Sequence, residues 1–144
     1  MKWKLLDEEL GERTFALIFE NGDEVLAGLQ KFAREAELTA AHFTAIGAFE
    51  KVTLGFFDFA RKDYDRIPIA EQVEVLSLVG NVALDQEKPK VHTHVVVGKR
   101  DGTAHGGHLL EAHVRPTLEV MLVELPEHLR RRHDAESGLA LITV

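Results

Sequence analysis

Runs of apolar residues separated by turn-forming residues predict that most of the chain folds as β-strands. The runs are rich in β-branched and aromatic residues, which favour the pleated, half-buried surface of a sheet. They cover residues 13–20, 41–49, 51–59, 72–82, 91–97, 112–125 and 139–144. Gly47 and Gly55 fall inside two of these strands and predict bulges or close backbone approaches there.

A single stretch departs from the strand pattern and predicts a helix. Asn21 and Gly22 end the first strand, and Asp23 is a suitable N-cap residue. After residue 24, apolar side chains recur at the spacing of one helical face, and these are Val25, Leu26, Leu29, Phe32 and Ala33. About seven strands and one main helix indicate an α+β fold, mainly an antiparallel sheet packed with the helix.

Two charged segments are predicted to be exposed connections. Residues 61–68 (RKDYDRIP) carry charge and a proline between two strand candidates, so they fit a surface loop. Within this loop, Tyr64 serves either as a packed anchor or as a substrate contact. Residues 130–133 (RRRH) have acidic residues on both sides, which favours a solvated turn over a phosphate-binding patch.

Composition and charge narrow the class of protein. The 144 residues suit one domain over residues 1–144, because neither composition nor repeats divide the chain. The lack of cysteine excludes a disulfide scaffold, a thiolate metal site and a cysteine nucleophile. The N-terminal segment has no apolar core of a signal or membrane span, so we expect a cytoplasmic protein without a membrane partner. A formal net charge of −7 argues against direct DNA binding.

Three histidines form the main candidate for a functional site. His92 and His94 are two residues apart in a predicted strand, so their imidazoles leave the same face about 6–7 Å apart. A turn over residues 99–102 can return the chain and bring His108, which follows two glycines, beside this pair. Three neutral imidazoles with an open position suit a divalent metal, and zinc is the first candidate. The alternative is that alternating histidines only line the hydrated face of a half-exposed strand.

Three further residues have both a structural and a functional interpretation. His105 has parity opposite to His108 and faces away from it, unless a bulge at the intervening glycines reverses the strand. Glu119 interrupts an apolar strand, so it lies on the polar face of the sheet or points inward. An inward Glu119 could be a fourth ligand, a partner of a ligating imidazole or a general base for a metal-bound water. Glu74 raises the same question. Phosphate-binding loops, dinucleotide-binding glycine motifs and serine nucleophile elbows are lacking.

Short motifs that follow one another along the chain resemble a known family. They are residues 22–24 (GDE), 46–49 (IGAF), 52–58 (VTLGFFD), 73–81 (VEVLSLVGN), 92–94 (HTH), 106–109 (GGHL) and 117–120 (TLEV). In this order they resemble the plants-and-prokaryotes-conserved (PPC) domain, from about residue 13 to residue 144. The resemblance implies an antiparallel sheet packed with a helix and assembled as a homotrimer.

The type of family member bears on function. In plant members the domain accompanies an AT-hook that binds DNA, whereas this sequence has no Arg-Gly-Arg-Pro core and resembles the stand-alone prokaryotic type. Prokaryotic members keep H-x-H and G-G-H elements that match His92, His94 and His108. The fold is also similar to that of acetolactate decarboxylase, a histidine metalloenzyme, although likeness of fold transfers no reaction.

Two functions of different classes are consistent with these observations. The first is a homotrimer whose three-histidine metal site acts on or senses a small molecule, with Glu119 as an acid–base group. The second is a non-enzymatic regulatory or DNA-associated module that works through protein–protein contacts. Bound metal distinguishes the two, and the sequence leaves open whether the protein is an enzyme.

Overall fold

The computed structural model describes residues 1–144 as nine strands and one helix. In chain order they are β1 (Lys2–Glu9), β2 (Glu12–Glu20), α1 (Val25–Glu35), β3 (Ala40–Asp58), β4 (Asp63–Ile69), β5 (Val73–Asp85), β6 (Lys88–Gly98), β7 (Ala104–Glu124), β8 (Arg130–His133) and β9 (Ala140–Thr143). The predicted α+β fold, with one helix and a mainly antiparallel sheet, is confirmed. The prediction missed β1, β4 and β8 because these strands are exposed and lack an apolar run.

All nine strands belong to one sheet. Neighbours follow the order β1-β2-β7-β3-β5-β8-β9, while β4 pairs with β3, and β6 pairs with both β5 and β7. Because β3 also pairs with β5 and β7, strands β3, β5, β6 and β7 form a closed, barrel-like circuit. Every pairing is antiparallel except the bridge between Leu84 of β5 and Arg130 of β8.

The hydrophobic core lies between α1 and one face of the sheet. The predicted apolar face of the helix is buried through Val25, Leu29, Phe32 and Ala33. A helix of 11 residues is marginal in isolation, so packing of this face supplies most of its stability. The protein has no helix with the length and apolar content required to cross a membrane.

The N-cap of α1 differs from the prediction. Glu24 caps the helix, and its carboxylate accepts a hydrogen bond from the Ala27 N–H at 2.6 Å. Asp23 instead accepts a hydrogen bond from the Glu20 N–H at 2.8 Å and pairs with the amino group of Met1 at 2.6 Å. Adjacent carboxylates can both satisfy N–H groups at a helix start, so the sequence pattern does not distinguish them.

The prediction of an exposed loop at residues 61–68 is wrong, because most of this segment is strand β4. It pairs antiparallel with β3, with Pro68 opposite Thr53. β4 has no second partner and is therefore an edge strand. Charged residues and proline are tolerated at an edge, where part of the backbone needs no strand partner.

The prediction of a solvated turn at residues 130–133 is also wrong, because these residues form strand β8. Its partner is β9, with Arg131 opposite Ile142. Arg130 and Arg132 are exposed, whereas Arg131 is half-buried. The alternation of side chains along a strand thus separates Arg131 from its two neighbours.

The strands predicted at residues 41–49 and 51–59 are one long strand, β3. Its pairing shifts register at Gly47 against both β5 and β7, which confirms the predicted bulge. Gly47 has a φ of 152°, and a Cβ there would lie 2.3 Å from the carbonyl oxygen of Thr117. A side chain at this position would therefore separate β3 from β7.

Candidate metal centre and adjoining cleft

Strands β6 and β7 form the hairpin that carries all three candidate ligands. The Lys99 N–H donates to the Thr103 carbonyl oxygen, and the Gly102 N–H donates to the Lys99 carbonyl oxygen, each at 2.9 Å. In the resulting register His94 lies opposite His108. The predicted return of the chain over residues 99–102 is confirmed.

The three imidazoles converge on the sheet face that points away from the core. Ring centroids are 5.1 Å apart for His92 and His94, 5.1 Å for His92 and His108, and 5.3 Å for His94 and His108. One ring nitrogen from each histidine lies within 4.8 Å of the others. Side-chain rotation can close this spacing to the roughly 3.3 Å that separates nitrogens around tetrahedral zinc.

The surroundings of the cluster favour neutral imidazoles. Burial is the main cause that lowers the pKa of His92 from its usual value, and the charge of His94 lowers it further. Burial is also the main cause at His108, and together with the charges of His92 and His94 it lowers the pKa of His108 to about 4. Neutral imidazole is the form that donates a lone pair to a metal.

One buried nitrogen provides a test of whether a metal fits this cluster. His108 Nδ1 is buried and has no hydrogen-bond partner within the chain. An unsatisfied buried polar atom costs about 1–3 kcal/mol, so this nitrogen needs a partner. Three neutral imidazole donors without a neighbouring thiolate match the preference of zinc and similar divalent metals. The residues present therefore fit a divalent metal.

Two glycines bring β3 close to β7 at His108. Gly55 of β3 lies opposite His108, and a Cβ on Gly107 would lie 2.8 Å from the Gly55 carbonyl oxygen. The close approach predicted at Gly55 is confirmed. Glycine at both positions lets the two backbones meet without a side chain between them.

Tyr64 of β4 stacks on His108. The ring centroids are 4.6 Å apart, and the ring planes are inclined by 22°. The tyrosine reaches this position across Gly55, where a Cβ would lie 2.8 Å from Tyr64 Cδ1. Burial raises the pKa of the Tyr64 hydroxyl above its usual value. Tyr64 is thus a packed anchor, on a strand instead of the predicted loop, and it also borders the neighbouring cleft.

That cleft lies beside the histidine cluster and has a volume of about 550 Å³. It is lined by Tyr64, Lys90, Val91, His92, His108, Arg131 and residues 139–142. This volume is within the usual range of about 300–1,000 Å³ for small-molecule sites. The cluster therefore opens onto a space that can hold a small molecule.

Arg131 is the site residue that sequence reasoning missed. Its Nη2 donates to Asn81 Oδ1 at 2.6 Å, and its Nη1 donates to the Ala140 carbonyl oxygen at 3.1 Å. Burial lowers the pKa of this guanidinium from its usual value, and the Asp85 carboxylate partly opposes that effect. The available signal was the alternation of a strand, which places the central arginine of the run apart from its neighbours.

The other candidate residues lie outside the cluster. His105 is opposite Val97 and exposed, and its Nε2 lies 3.4 Å from Thr103 Oγ1. Glu119 is exposed on β7 opposite Ile46. Glu119 comes 11 residues after His108 in the sequence. In an extended strand this separation corresponds to a distance on the order of 30 Å. Glu74 is exposed on β5. Within one chain, then, no carboxylate joins the three histidines.

A comparison with protein-family models matches residues 6–126 to the Plants and Prokaryotes Conserved (PCC) domain, which is also abbreviated PPC. Among curated proteins, the bifunctional protein GlmU of a Synechococcus strain is 30% identical over 129 residues. That alignment covers 88% of this chain and 20% of the relative. The chain thus spans about a fifth of the length of this curated relative.

Solved structures show the same fold over nearly the whole chain. A metal-containing protein from Archaeoglobus fulgidus is 33% identical, with a TM-score of 0.84 and coverage of 100% of this chain and 99% of that one. A plant- and prokaryote-conserved protein from Pyrococcus horikoshii is 31% identical, with a TM-score of 0.85 and coverage of 99% and 95%. A protein from Bacteroides thetaiotaomicron, named for a suspected DNA-binding role, is 27% identical, with a TM-score of 0.86 and coverage of 98% and 96%.

The similarity of fold to acetolactate decarboxylase is confirmed as well. The Bacillus subtilis enzyme has a TM-score of 0.55 at 12% identity, over 88% of this chain and 58% of the enzyme. At that identity the likeness concerns the fold alone. The family match, by contrast, covers most of the chain and agrees with the ordered motifs and the fold. The chain belongs to the Plants and Prokaryotes Conserved domain family.

Proposed function

We propose that this protein binds a divalent metal, with zinc as the first candidate, and uses it to act on or sense a small molecule. His92, His94 and His108 hold the metal. The observation that carries the proposal is the convergence of three imidazole nitrogens within 4.8 Å. The similarity to a metal-containing archaeal protein supports it.

The protein residues have distinct parts in this proposal. The three imidazoles supply neutral nitrogen donors and leave a position open toward the cleft. Tyr64 packs against His108 and fixes the plane of its ring. A bound divalent metal polarises an oxygen of a ligand or lowers the pKa of a bound water.

The acid–base role proposed for Glu119 depends on assembly. This side chain is exposed on β7, on the order of 30 Å along the strand from His108. It can serve the cluster only where another copy of the chain brings it there. Any role of Glu119 in chemistry is therefore a property of the oligomer.

We propose a homotrimer as that oligomer, and an exposed apolar surface supports the proposal. The sheet face opposite the core carries six exposed apolar residues, Ile18, Ile46, Leu76, Val79, Val96 and Met121. We call these six residues the open face. Exposed apolar residues grouped on one face of a sheet are typical of association sites, and the family resemblance suggests three subunits.

Elemental analysis of untagged protein, purified without chelator, tests the metal proposal. We expect close to one zinc per chain after dialysis against zinc and removal of free metal. In the double variant His92→Ala, His94→Ala the bound zinc should fall to background, since one imidazole alone binds too weakly.

The double variant His128→Ala, His133→Ala is the matched control, because it removes two exposed histidines outside the cluster. It should retain the zinc of the unmodified protein. Equal zinc in all three proteins, or none in the unmodified protein, would show that the cluster is not a metal site.

The second candidate function is a regulatory module associated with DNA. The observation that favours it is the suspected DNA-binding role for which the Bacteroides neighbour is named. The net charge of −7 opposes direct contact with phosphates. A mobility shift of duplex DNA that weakens as salt increases would support this module. We expect no shift at physiological salt.

A further inference from the structure

The guanidinium of Arg131 has no carboxylate partner within the chain. Its two hydrogen bonds go to neutral oxygens, those of Asn81 and Ala140. Its Nε is buried and has no partner. Arg13 differs, because it donates two hydrogen bonds to the Glu124 carboxylate.

A half-buried charge without a counter-ion is unfavourable, and proteins normally pair it. The guanidinium offers five N–H donors, and two hydrogen bonds to neutral groups leave donor capacity for another acceptor. Neighbouring Lys90, which also borders the cleft, is already paired with Asp85 at 2.7 Å. Arg131 is thus the free positive group of this cleft.

The rest of the cleft wall fits an anion with an apolar body. No aspartate or glutamate lines it, although the chain has 24 acidic residues against 17 lysines and arginines. Beside Arg131 the wall consists of Leu139, Ala140, Leu141 and Ile142. The cleft therefore combines one cation without a counter-ion, an apolar surface and the imidazoles of His92 and His108.

We propose that this cleft binds a small organic carboxylate. Arg131 receives the carboxylate group, the apolar body packs on residues 139–142, and the opposite end of the ligand faces the histidine cluster. The proposal rests on the proposed function, since it names the class of small molecule that the metal centre serves. The planar fork of an arginine matches the two oxygens of a carboxylate.

Inorganic phosphate is a poorer match for the same cleft. It carries more charge than one guanidinium neutralises, and it gains nothing from an apolar wall. A neutral amide of the same shape would keep the packing and lose the charge-assisted hydrogen bonds. These differences define the probes for an experiment.

Isothermal titration with benzoate, benzamide and inorganic phosphate tests the proposal on zinc-loaded and on metal-free protein. Benzoate should bind at least tenfold more tightly than benzamide or phosphate, because hydrogen bonds between two charged groups are stronger than those to a neutral group. In the variant Arg131→Gln the affinity for benzoate should fall about tenfold or more.

The variant Arg132→Gln is the matched control, because it removes the same charge from an exposed neighbour on the same strand. It should bind benzoate like the unmodified protein. Benzamide binding as tightly as benzoate, phosphate binding more tightly than benzoate, no benzoate binding, or equal losses in the two variants would overturn the proposal.

Zinc content, measured on the same samples, separates this proposal from that of the metal centre. Arg131-dependent benzoate binding by protein that takes up no zinc would keep the carboxylate site and remove the metal site. Stoichiometric zinc without Arg131-dependent benzoate binding would keep the metal site and remove the carboxylate site. A folded state of Arg131→Gln, checked by circular dichroism and by its zinc content, excludes loss of binding through unfolding.

Discussion

At the scale of single residues, the pair of Arg13 and Glu124 joins the start of β2 to the end of β7. Arg13 Nε and Nη2 donate to the two Glu124 oxygens at 2.5 and 2.9 Å, and Nη2 also donates to the Ala36 carbonyl oxygen at 2.8 Å. The Glu124 residue is only 9% exposed. This two-pronged pair is better shielded from solvent than the other ion pairs between side chains of the chain.

We expect Glu124→Gln to lower the free energy of unfolding by about 1–3 kcal/mol, because it leaves a partly buried guanidinium without its counter-charge. Urea denaturation at neutral pH measures this loss. The control Glu20→Gln removes an exposed pair with Lys2 and should cost less than about 1 kcal/mol. Similar losses for the two variants would show that the shielding of Glu124 is unimportant.

Sequence reasoning identified the three histidines but not the complete surroundings of the cluster. His92, His94 and His108 are close in the chain, so strand alternation and one turn suffice to bring them together. Tyr64 lies on β4, which pairs with its chain neighbour β3, and Arg131 lies on β8, which pairs with its chain neighbour β9 and meets β5 through one bridge. Their charged and polar neighbours resemble those of loops, and no local pattern shows that either side chain borders the cleft beside the histidines.

At the scale of elements, the β6–β7 hairpin depends on the absence of side chains where it contacts β3. Gly107 lies against the backbone of Gly55, which cannot move aside as a side chain could. Gly98 is also in this hairpin, but there a Cβ would contact the end of the Leu76 side chain at 3.2 Å. The two glycines therefore differ in what an added methyl group would displace.

We expect Gly107→Ala to lower the free energy of unfolding by about 1–3 kcal/mol and to weaken zinc binding, because it moves β7 and His108 away from β3. Gly98→Ala is the control and should change both quantities little. Chemical denaturation and zinc titration measure them. Unchanged zinc affinity in Gly107→Ala would mean that the hairpin holds the ligands independently of β3.

Helices and strands could be predicted where the burial of one face requires a recognisable pattern of apolar residues in the sequence. The helix α1 was found through its periodicity, and strands such as β2 were found through their apolar runs. The continuity of β3 was not predicted, because the charged Glu50 separates its two apolar runs. Continuity there is imposed by pairing with β7 on one side and with β5 and then β4 on the other.

At the scale of the whole molecule, the open face leaves six apolar residues of the sheet exposed to solvent. Ile46, Leu76 and Met121 line one groove of it, with Glu119 at the same groove. Burial of such residues in an assembly would gain about 25 cal/mol per Å² of apolar surface. The groove therefore links the proposed trimer to the residue proposed for acid–base chemistry.

We expect the double variant Ile46→Glu, Met121→Glu to be monomeric, because it places like charges in a self-association surface. Light scattering after size-exclusion chromatography should show the unmodified protein as a trimer. Leu10→Glu, at an exposed turn residue outside the open face, should remain trimeric. If the unmodified protein is monomeric at all concentrations, the proposed homotrimer is contradicted.

The hairpin that carries the three histidines also has a consequence for the order of folding. His92 and His108 are 16 residues apart. The entropy lost in closing this loop is therefore smaller than that lost in the long-range pairing of β3 with β7. A metal could therefore organise the hairpin before the closed circuit of strands exists. We expect zinc to accelerate refolding in stopped-flow experiments, with a smaller effect on unfolding. Acceleration would make the metal a folding nucleus as well as a site for chemistry, whereas slower unfolding alone would place its binding after the strands have closed.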